Sequence, residues 1–150
     1  MKVVAQISVV AGLALAGSGV TYLVTGAPDR GVACDPAGLK ADEICLDQVP
    51  DQVVWVDARL RGEWEQSRAP GAVLWNLDPA EDMQAFEAAA MGAMFEARLV
   101  VVYCTDEGCG TSRQVAERIR GLGLGTEVKV LFGGWRALSA AGITDSSPVP

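Results

Sequence analysis

The sequence predicts an α/β fold, a central parallel sheet flanked by helices, preceded by one N-terminal hydrophobic helix. Two observations lead to this prediction. Short apolar runs alternate with segments of helical spacing from about residue 50 onward, which is typical of a parallel sheet. The strongest run, residues 99–103 (LVVVY), is uncharged and rich in β-branched side chains. A central parallel strand is buried on both faces and has this composition.

The N-terminal segment has the length and character of a membrane anchor. Residues 3–25 contain no charged side chain, and a helix of about 20 apolar residues can cross a bilayer. A secretory signal peptide has a shorter apolar core. An Ala-Leu-Ala sequence at 14–16 could be a cleavage site, but the apolar run continues beyond it. We therefore expect residues 1–25 to form an uncleaved single-pass anchor, with a secreted or periplasmic protein after cleavage as the alternative. Lys2 before the segment favours an extracytoplasmic domain.

The remainder divides into a linker, one domain and a tail. Residues 26–42 are rich in Gly, Pro, Ala and Asp without a period, which predicts a linker. The alternating pattern predicts one domain over residues 43–145, and residues 146–150 are expected to be a disordered tail. Strands are predicted at 53–56, 72–75, 99–103 and 128–131, and helices at 79–96, from an N-cap at Ser112 to Gly121, and at 135–141.

Composition excludes several classes of function. The net charge of −7 argues against nucleic-acid binding, which needs a basic surface. The chain has no histidine, so the usual general base and the usual zinc ligand are absent. Its four cysteines lack a C-x2-C pair, so no metal site and no cofactor are predicted. Chemistry must therefore use Cys, Asp, Glu, Arg, Ser or Tyr side chains, or backbone amides.

Cys104 lies where parallel sheets carry their functional sites, at the carboxyl end of the central strand. Glycines at 108 and 110 allow the following loop to curl so that several amides converge on the sulfur. Such a loop, with a helix N-terminus behind it, favours a reactive thiolate over a merely buried cysteine. The predicted active-site loop comprises Thr105, Asp106, Glu107, Gly108, Cys109, Gly110, Thr111 and Ser112.

Three separated motifs resemble the rhodanese-like domain family. Residues 53–76 resemble its opening strand, which ends in Asp-x-Arg and leads to a Pro-Gly-Ala turn. Residues 99–104 resemble the strand that delivers the catalytic cysteine, and residues 130–142 resemble the closing Gly-Gly-Trp motif. The matching positions are Asp57, Arg59, Glu63, Trp64, Pro70, Gly71, Ala72, Cys104, Gly133, Gly134 and Trp135.

The resemblance implies sulfur transfer through a persulfide on Cys104. The partners expected from it are a small sulfur donor or a persulfidated protein, with an acceptor that the sequence does not identify. The chain departs from the family at Arg68, where a histidine is usual, and at Ser67 and Leu138. Its loop after Cys104 is also longer than the common form and lacks the basic residues that help many members to hold thiosulfate.

Two features of the loop separate the alternative functions. Asp106 and Glu107 would repel thiosulfate if they faced the sulfur, and we expect them to point outward. Cys109 could resolve a persulfide or sulfenic acid on Cys104 as a disulfide, or it could only pack the loop. The rivals to a sulfurtransferase are thus a thiol–disulfide redox protein using Cys104 and Cys109, and an inactive rhodanese-like binding module at the membrane.

Two further pairs of residues are expected to support the domain. Asp57 and Arg59 lie at the end of another predicted strand, and we interpret them as an ion pair that braces the loop. Cys34 and Cys45 could pair if the domain is exported, but we expect Cys45 to lie in a strand and favour a buried residue over a disulfide. The four tryptophans are interpreted as packing residues.

Overall fold

A computed structural model of the chain describes residues 31–105 and 110–149. They contain a five-stranded parallel sheet with the strand order β1-β5-β4-β2-β3. The strands are β1 (Glu43–Ile44), β2 (Val54–Asp57), β3 (Val73–Leu74), β4 (Leu99–Tyr103) and β5 (Glu127–Leu131). The helices are α1 (Arg61–Gln66), α2 (Met83–Met94), α3 (Gly110–Gly121) and α4 (Gly134–Ala140).

Strand β4 is the centre of the sheet, as its composition predicts. All five of its residues are buried, and it pairs with β2 on one side and β5 on the other. Alternate side chains contribute to two apolar clusters. Val100, Val102 and Cys104 pack with residues of α2 and α3, whereas Val101 and Tyr103 pack with residues that include Leu138 of α4. Helices thus cover both faces of the sheet, and the sheet's carboxyl edge carries Cys104.

The predicted starts of two helices, near residue 79 and after Ser112, are wrong. Ser112 is not the N-cap of α3 but lies inside it and is buried, because the helix already includes Gly110 and Thr111. Helix α2 begins at Met83 rather than near residue 79, since the Asp82 carboxylate caps it by accepting the amides of Gln84 and Ala85 at 2.9 and 3.2 Å. The strand expected around Cys45 corresponds to β1, which ends one residue earlier at Ile44, and helix α1 is an element that the sequence pattern did not predict.

A disulfide attaches part of the predicted linker to the domain. Cys34 is bonded to Cys45, which is fully buried and directly follows β1. The carbonyl of Asp42 accepts the amide of Val130 at 2.8 Å, so the chain is already paired with β5 at that point. Residues 31–42 therefore lie against the domain. The predicted anchor over residues 1–25 lies outside the described residues, and within residues 31–105 and 110–149 no helix could span a membrane.

Arg113 of helix α3 forms ion pairs with the segment that the Cys34–Cys45 disulfide attaches to the domain, residues 31–45, which we call the stapled segment. Arg113 contacts the carboxylates of Asp42 at 3.1 Å and Glu43 at 2.7 Å. Partial burial alone would raise the pKa of Asp42, but the hydrogen bond and charge of Arg113 hold it below its ordinary value. A carboxyl with a lowered pKa in the folded state stabilises the fold above its ordinary pKa, and this contribution is lost as the pH falls through the folded-state pKa.

Replacing Arg113 by glutamine is therefore expected to flatten the acid dependence of stability. The variant should lose about 1 kcal/mol or less at pH 7, because the pair is partly exposed. The difference from the wild type should be smaller at pH 3, because the contribution of Asp42 decreases as the pH falls towards its lowered pKa. Urea unfolding at both pH values measures this, and Arg118→Gln on the exposed face of α3 is the control. An identical difference between variant and wild type at the two pH values would contradict the prediction.

Candidate functional site

Cys104 lies at the end of β4 with only 1% of its surface exposed. Its carbonyl oxygen accepts the amide of Trp135, the second residue of α4, at 2.7 Å. Thr105 follows and is exposed, and α3 begins by Gly110. Asp106, Glu107, Gly108 and Cys109 of the predicted active-site loop lie outside the described residues. Cys104 is therefore fixed by the strand before it and by the start of α4.

Cys104 is disulfide-bonded in this structure. Cys34 and Cys45, the other described cysteines, are bonded to each other. A cysteine in a disulfide must be reduced before it can act as a nucleophile. The oxidation state of Cys104 is consequently the first property to control in any test of its chemistry.

Asp57 and Arg59 form a buried ion pair at the carboxyl edge of β2. Asp57 is fully buried and Arg59 is 5% exposed. The guanidinium donates to both carboxylate oxygens, with Nε 3.0 Å from Oδ1 and Nη2 2.7 Å from Oδ2. Burial would lower the pKa of Arg59, but the hydrogen bonds and charge of Asp57 raise it above its ordinary value. Arg59 also donates to the carbonyl of Ser67 at 2.6 Å, which attaches the end of α1 to the pair.

Tyr103 provides a second partner for the buried carboxylate. Its hydroxyl donates to Asp57 Oδ2 at 2.7 Å and accepts the amide of Ala69 at 3.0 Å. Burial and the neighbouring charge of Asp57 raise the pKa of Tyr103 far above its ordinary value, so the hydroxyl remains a neutral donor. The last residue of β4 thus connects β2 with the turn that precedes β3.

Trp135 connects this network to Cys104. The Arg59 guanidinium lies 4.1 Å from the centre of the Trp135 ring, a cation–π distance. The Tyr103 ring stacks on the same indole with centroids 6.1 Å apart. Because the amide of Trp135 also binds the Cys104 carbonyl, the ion pair reaches the candidate nucleophile through one residue. The sequence interpreted Trp135 only as a packing residue and assigned no role to Tyr103.

Arg68, at the position where the resemblance expects a histidine, anchors the C-terminal segment. Its backbone pairs with Asp145 in an antiparallel bridge, and its side chain donates to the carbonyl of Ser147 at 2.9 Å. Hydrogen bonds from Ser147 and the charge of Arg68 lower the pKa of Asp145. Arg68 thus holds Asp145, the last residue of the predicted domain, and Ser147, which lies in the predicted tail. Its contacts therefore give it a structural role.

Removing the hydroxyl of Tyr103 should destabilise the domain. In Tyr103→Phe the buried Asp57 carboxylate loses one donor and the Ala69 amide loses its acceptor. An unsatisfied buried polar group costs about 1–3 kcal/mol, so we expect a loss in that range. Guanidinium unfolding of the variant and the wild type measures it. A loss within experimental error would mean that water replaces the hydroxyl.

The fold and the motifs agree with one family of domains. The sequence profile of the rhodanese-like domain matches residues 44–141. The chain belongs to the rhodanese-like domain family. This family includes sulfurtransferases, and in the rhodanese-like domain described here the motif residues Asp57, Arg59 and Trp135 meet beside Cys104. A search of curated proteins found no match to the chain.

Solved structures with a similar fold have low sequence identity. The N-terminal domain of a protein titled ATP/GTP binding, from Clostridium difficile 630, aligns with a TM-score of 0.50 and 19% identity, covering 67% of this chain and 98% of that one. The BH2092 protein from Bacillus halodurans gives a TM-score of 0.49 and 18% identity, covering 63% of this chain and 64% of that one. The Alr3790 protein from Anabaena sp. gives a TM-score of 0.48 and 20% identity, covering 67% of this chain and 72% of that one.

These likenesses concern the fold alone. The alignment spans less than two thirds of the Bacillus halodurans chain, so the activity of that whole protein is not transferred to this one.

Proposed function

We propose that this rhodanese-like domain is a sulfurtransferase that carries sulfane sulfur on Cys104. The observation that supports the proposal is the position of Cys104, at the end of the central strand with its carbonyl held by Trp135. The thiolate attacks the outer sulfur of a donor, for example thiosulfate, to give a Cys104 persulfide and sulfite. A thiolate acceptor then attacks the outer sulfur of the persulfide, takes that sulfur and regenerates the Cys104 thiolate. In each step an anionic sulfur attacks and an anion leaves, so no proton is transferred. Neither step therefore needs a histidine as a general base.

The fold supplies the electrostatic part of this chemistry. Helix α3 begins by Gly110, and two of its three arginines, Arg118 and Arg120, lie in its last turn. The positive end of its dipole therefore lies at the loop that follows Cys104, where it favours negative charge on sulfur. Thr105, directly after Cys104, and Thr111, at the helix start, are the described loop residues that we assign to the persulfide site. The Asp57–Arg59 pair supports the site through Trp135, whose ring contacts Arg59 and whose amide binds the Cys104 carbonyl.

The donor that we propose is a persulfide on a protein or a small thiol, rather than free thiosulfate. Asp106 and Glu107 give the loop two negative charges, and the sequence has no lysine or arginine between Cys104 and Arg113 to offset them. Like charges disfavour a dianion near the sulfur. Replacing both residues, as Asp106→Asn and Glu107→Gln, should raise turnover with thiosulfate more than turnover with glutathione persulfide. Equal turnover before and after the change would contradict this choice of donor.

The disulfide at Cys104 supports a second candidate function. In a thiol–disulfide redox protein, Cys104 and Cys109 would exchange two electrons and two protons with a partner dithiol. The same pair could also act within sulfur transfer, with Cys109 releasing the persulfide sulfur as hydrosulfide and forming the disulfide. The two functions differ in whether Cys104 ever holds an additional sulfur atom.

We also propose that the domain is anchored in a membrane by residues 1–25 and faces an extracytoplasmic compartment. The Cys34–Cys45 disulfide supports this placement, because stable disulfides persist mainly in oxidising compartments. Thiol trapping of the native host protein, before and after reduction, tests it. Cys34 and Cys45 should be unreactive until reduced, and the protein should remain with membranes after a high-salt wash. Two freely reactive thiols, or release by salt, would contradict the placement.

The decisive experiment measures the mass of the full chain. The protein is reduced mildly, peptide mapping confirms which cysteines are free, the reductant is removed, and thiosulfate or glutathione persulfide is added. A gain of one sulfur atom that disappears in Cys104→Ser and persists in Cys109→Ser establishes the sulfurtransferase. A loss of two hydrogens in the wild type, abolished by either substitution and with no gain of sulfur in Cys109→Ser, establishes the redox protein instead. No change in mass with any donor would reject both and leave the binding module.

A further inference from the structure

The first described residues of the chain pack onto the turn that begins α4. Gly133 has a φ of +77°, and a Cβ built on it would lie 2.6 Å from Val32 Cγ1 and 3.0 Å from Val32 Cβ. The valine side chain therefore occupies the space that only a glycine leaves open. At Gly71, Gly123, Gly125 and Gly142, which also have a positive φ, an added Cβ would have no atom within 4 Å.

The turn that Val32 contacts also positions Cys104. Trp135 lies two residues after Gly133, its amide binds the Cys104 carbonyl at 2.7 Å, and its ring supports Arg59. A displacement of the turn would move that amide and the ring together. The contact between Val32 and Gly133 thus acts on the candidate nucleophile through the backbone of α4.

The Cys34–Cys45 disulfide holds Val32 in place. It connects the chain two residues after Val32 to the buried end of β1. There, the carbonyl of Ile44 accepts the amide of Phe132, the residue just before Gly133, at 3.0 Å. Val32 and Cys34 also line a groove of about 420 Å³ together with Ala141 and Ile143, beyond the other end of α4. The segment around the disulfide therefore packs on the turn before this helix and faces the residues after its other end across a groove.

We propose that Val32 is a positioning residue for the chemistry of Cys104 and that the Cys34–Cys45 disulfide holds it in that role. The proposal rests on the proposed function in taking Cys104 as the reacting group. It has a redox consequence. A partner dithiol that transfers two electrons and two protons to this disulfide becomes a disulfide itself and leaves two thiols, at Cys34 and Cys45. The released segment no longer holds the turn, and sulfur transfer slows.

Substitutions at Val32 test the proposal in the full chain. Val32→Gly removes the contact, Val32→Thr keeps its shape, and Ala33→Gly adds the same backbone freedom at an exposed neighbour. Because small displacements of reacting groups have large effects on rate, we expect kcat to fall about tenfold in Val32→Gly with KM for the donor unchanged. Val32→Thr and Ala33→Gly should both keep the wild-type kcat.

Two further measurements do not depend on sulfur transfer. Hydrogen exchange at the Trp135 amide should accelerate about tenfold in Val32→Gly and in the double variant Cys34→Ser/Cys45→Ser, because local opening becomes easier. The alkylation rate of reduced Cys104 should change in the same two variants. If the double variant does not fold, Val32→Gly alone decides.

The outcomes separate this proposal from the proposed function. Wild-type exchange and alkylation in Val32→Gly would overturn the positioning role whether or not the wild type transfers sulfur. Faster exchange with unchanged kcat and unchanged alkylation would overturn it as well. An inactive wild type whose alkylation rate still depends on Val32 would overturn the sulfurtransferase and retain the positioning role.

Discussion

Replacing Arg59 by methionine is expected to lower the free energy of unfolding by about 3–5 kcal/mol, since the substitution leaves the charge of Asp57 buried without its ionic partner. Methionine has a similar length, so the loss reports the charge and its hydrogen bonds more than a cavity. The contact with Trp135 and the hydrogen bond to the Ser67 carbonyl disappear in the same variant. Guanidinium unfolding followed by far-UV circular dichroism measures the change.

The chain provides a matched control in Arg61. It also forms a two-fold contact with one carboxylate, with Nε and Nη2 2.8 and 2.6 Å from the oxygens of Glu81, but this pair is exposed. Arg61→Met should therefore change stability little, because water replaces the lost interaction. The stability loss in Arg59→Lys should lie between the losses in Arg59→Met and Arg61→Met, since lysine keeps the positive charge but not the planar guanidinium that binds both carboxylate oxygens. Equal losses in Arg59→Met and Arg61→Met would mean that burial does not strengthen the Asp57–Arg59 pair.

Several strands could be predicted from the sequence because buried strands consist of short, continuous apolar runs. Residues 99–103 are apolar at every position, and a strand with this pattern can only lie inside a sheet that is covered on both faces. Strand β1 has no such signal. It contains two residues, one of them a glutamate, and it exists because Glu43 and Ile44 pair with the exposed edge of β5. Pairing across 87 positions of sequence leaves no periodic trace in so short a segment.

The same distinction applies to the candidate site. Cys104, Asp57 and Arg59 could be found from their positions at strand ends, where functional groups of parallel sheets gather. The roles of Tyr103 and Trp135 depend on contacts between distant segments, so the sequence could only class Trp135 as packing. One signal for Tyr103 was available: a buried tyrosine needs a partner for its hydroxyl, and Asp57 was the nearest predicted strand end.

The contact of Val32 with Gly133 was beyond local reasoning for another reason. Residues 26–42 have the composition of a linker, and composition reports the average tendency of a segment to stay unpacked. One disulfide changes that outcome, because it fixes Cys34 to β1 and thereby holds the two residues before it near β5. The pairing of Cys34 with Cys45 was only one of two interpretations at the level of sequence, so the packing that follows from it could not be predicted.

Gly133→Ala is expected to cost roughly 2–5 kcal/mol, the second-largest effect on stability that we predict. A residue with a side chain loses about 1–2 kcal/mol at a positive φ. Overlap of the new methyl with Val32 adds about 1–3 kcal/mol. Urea unfolding of the full chain measures the sum. Gly71→Ala isolates the first part, because Gly71 has a φ of +70° and open space where its Cβ would lie.

The two parts can be separated further by trimming Val32. In the double variant Val32→Ala/Gly133→Ala the methyl no longer meets Cγ1, so the overlap is relieved while the cost of the positive φ remains. The loss at Gly133 measured in the Val32→Ala background should then fall to the loss measured for Gly71→Ala. Strict additivity of the two substitutions would mean that Val32 does not press on the turn, because residues in contact couple. Trp135, whose amide binds the Cys104 carbonyl, lies two residues after Gly133. The coupling energy between Val32 and Gly133 therefore also measures how strongly the stapled segment can restrain the position of Cys104.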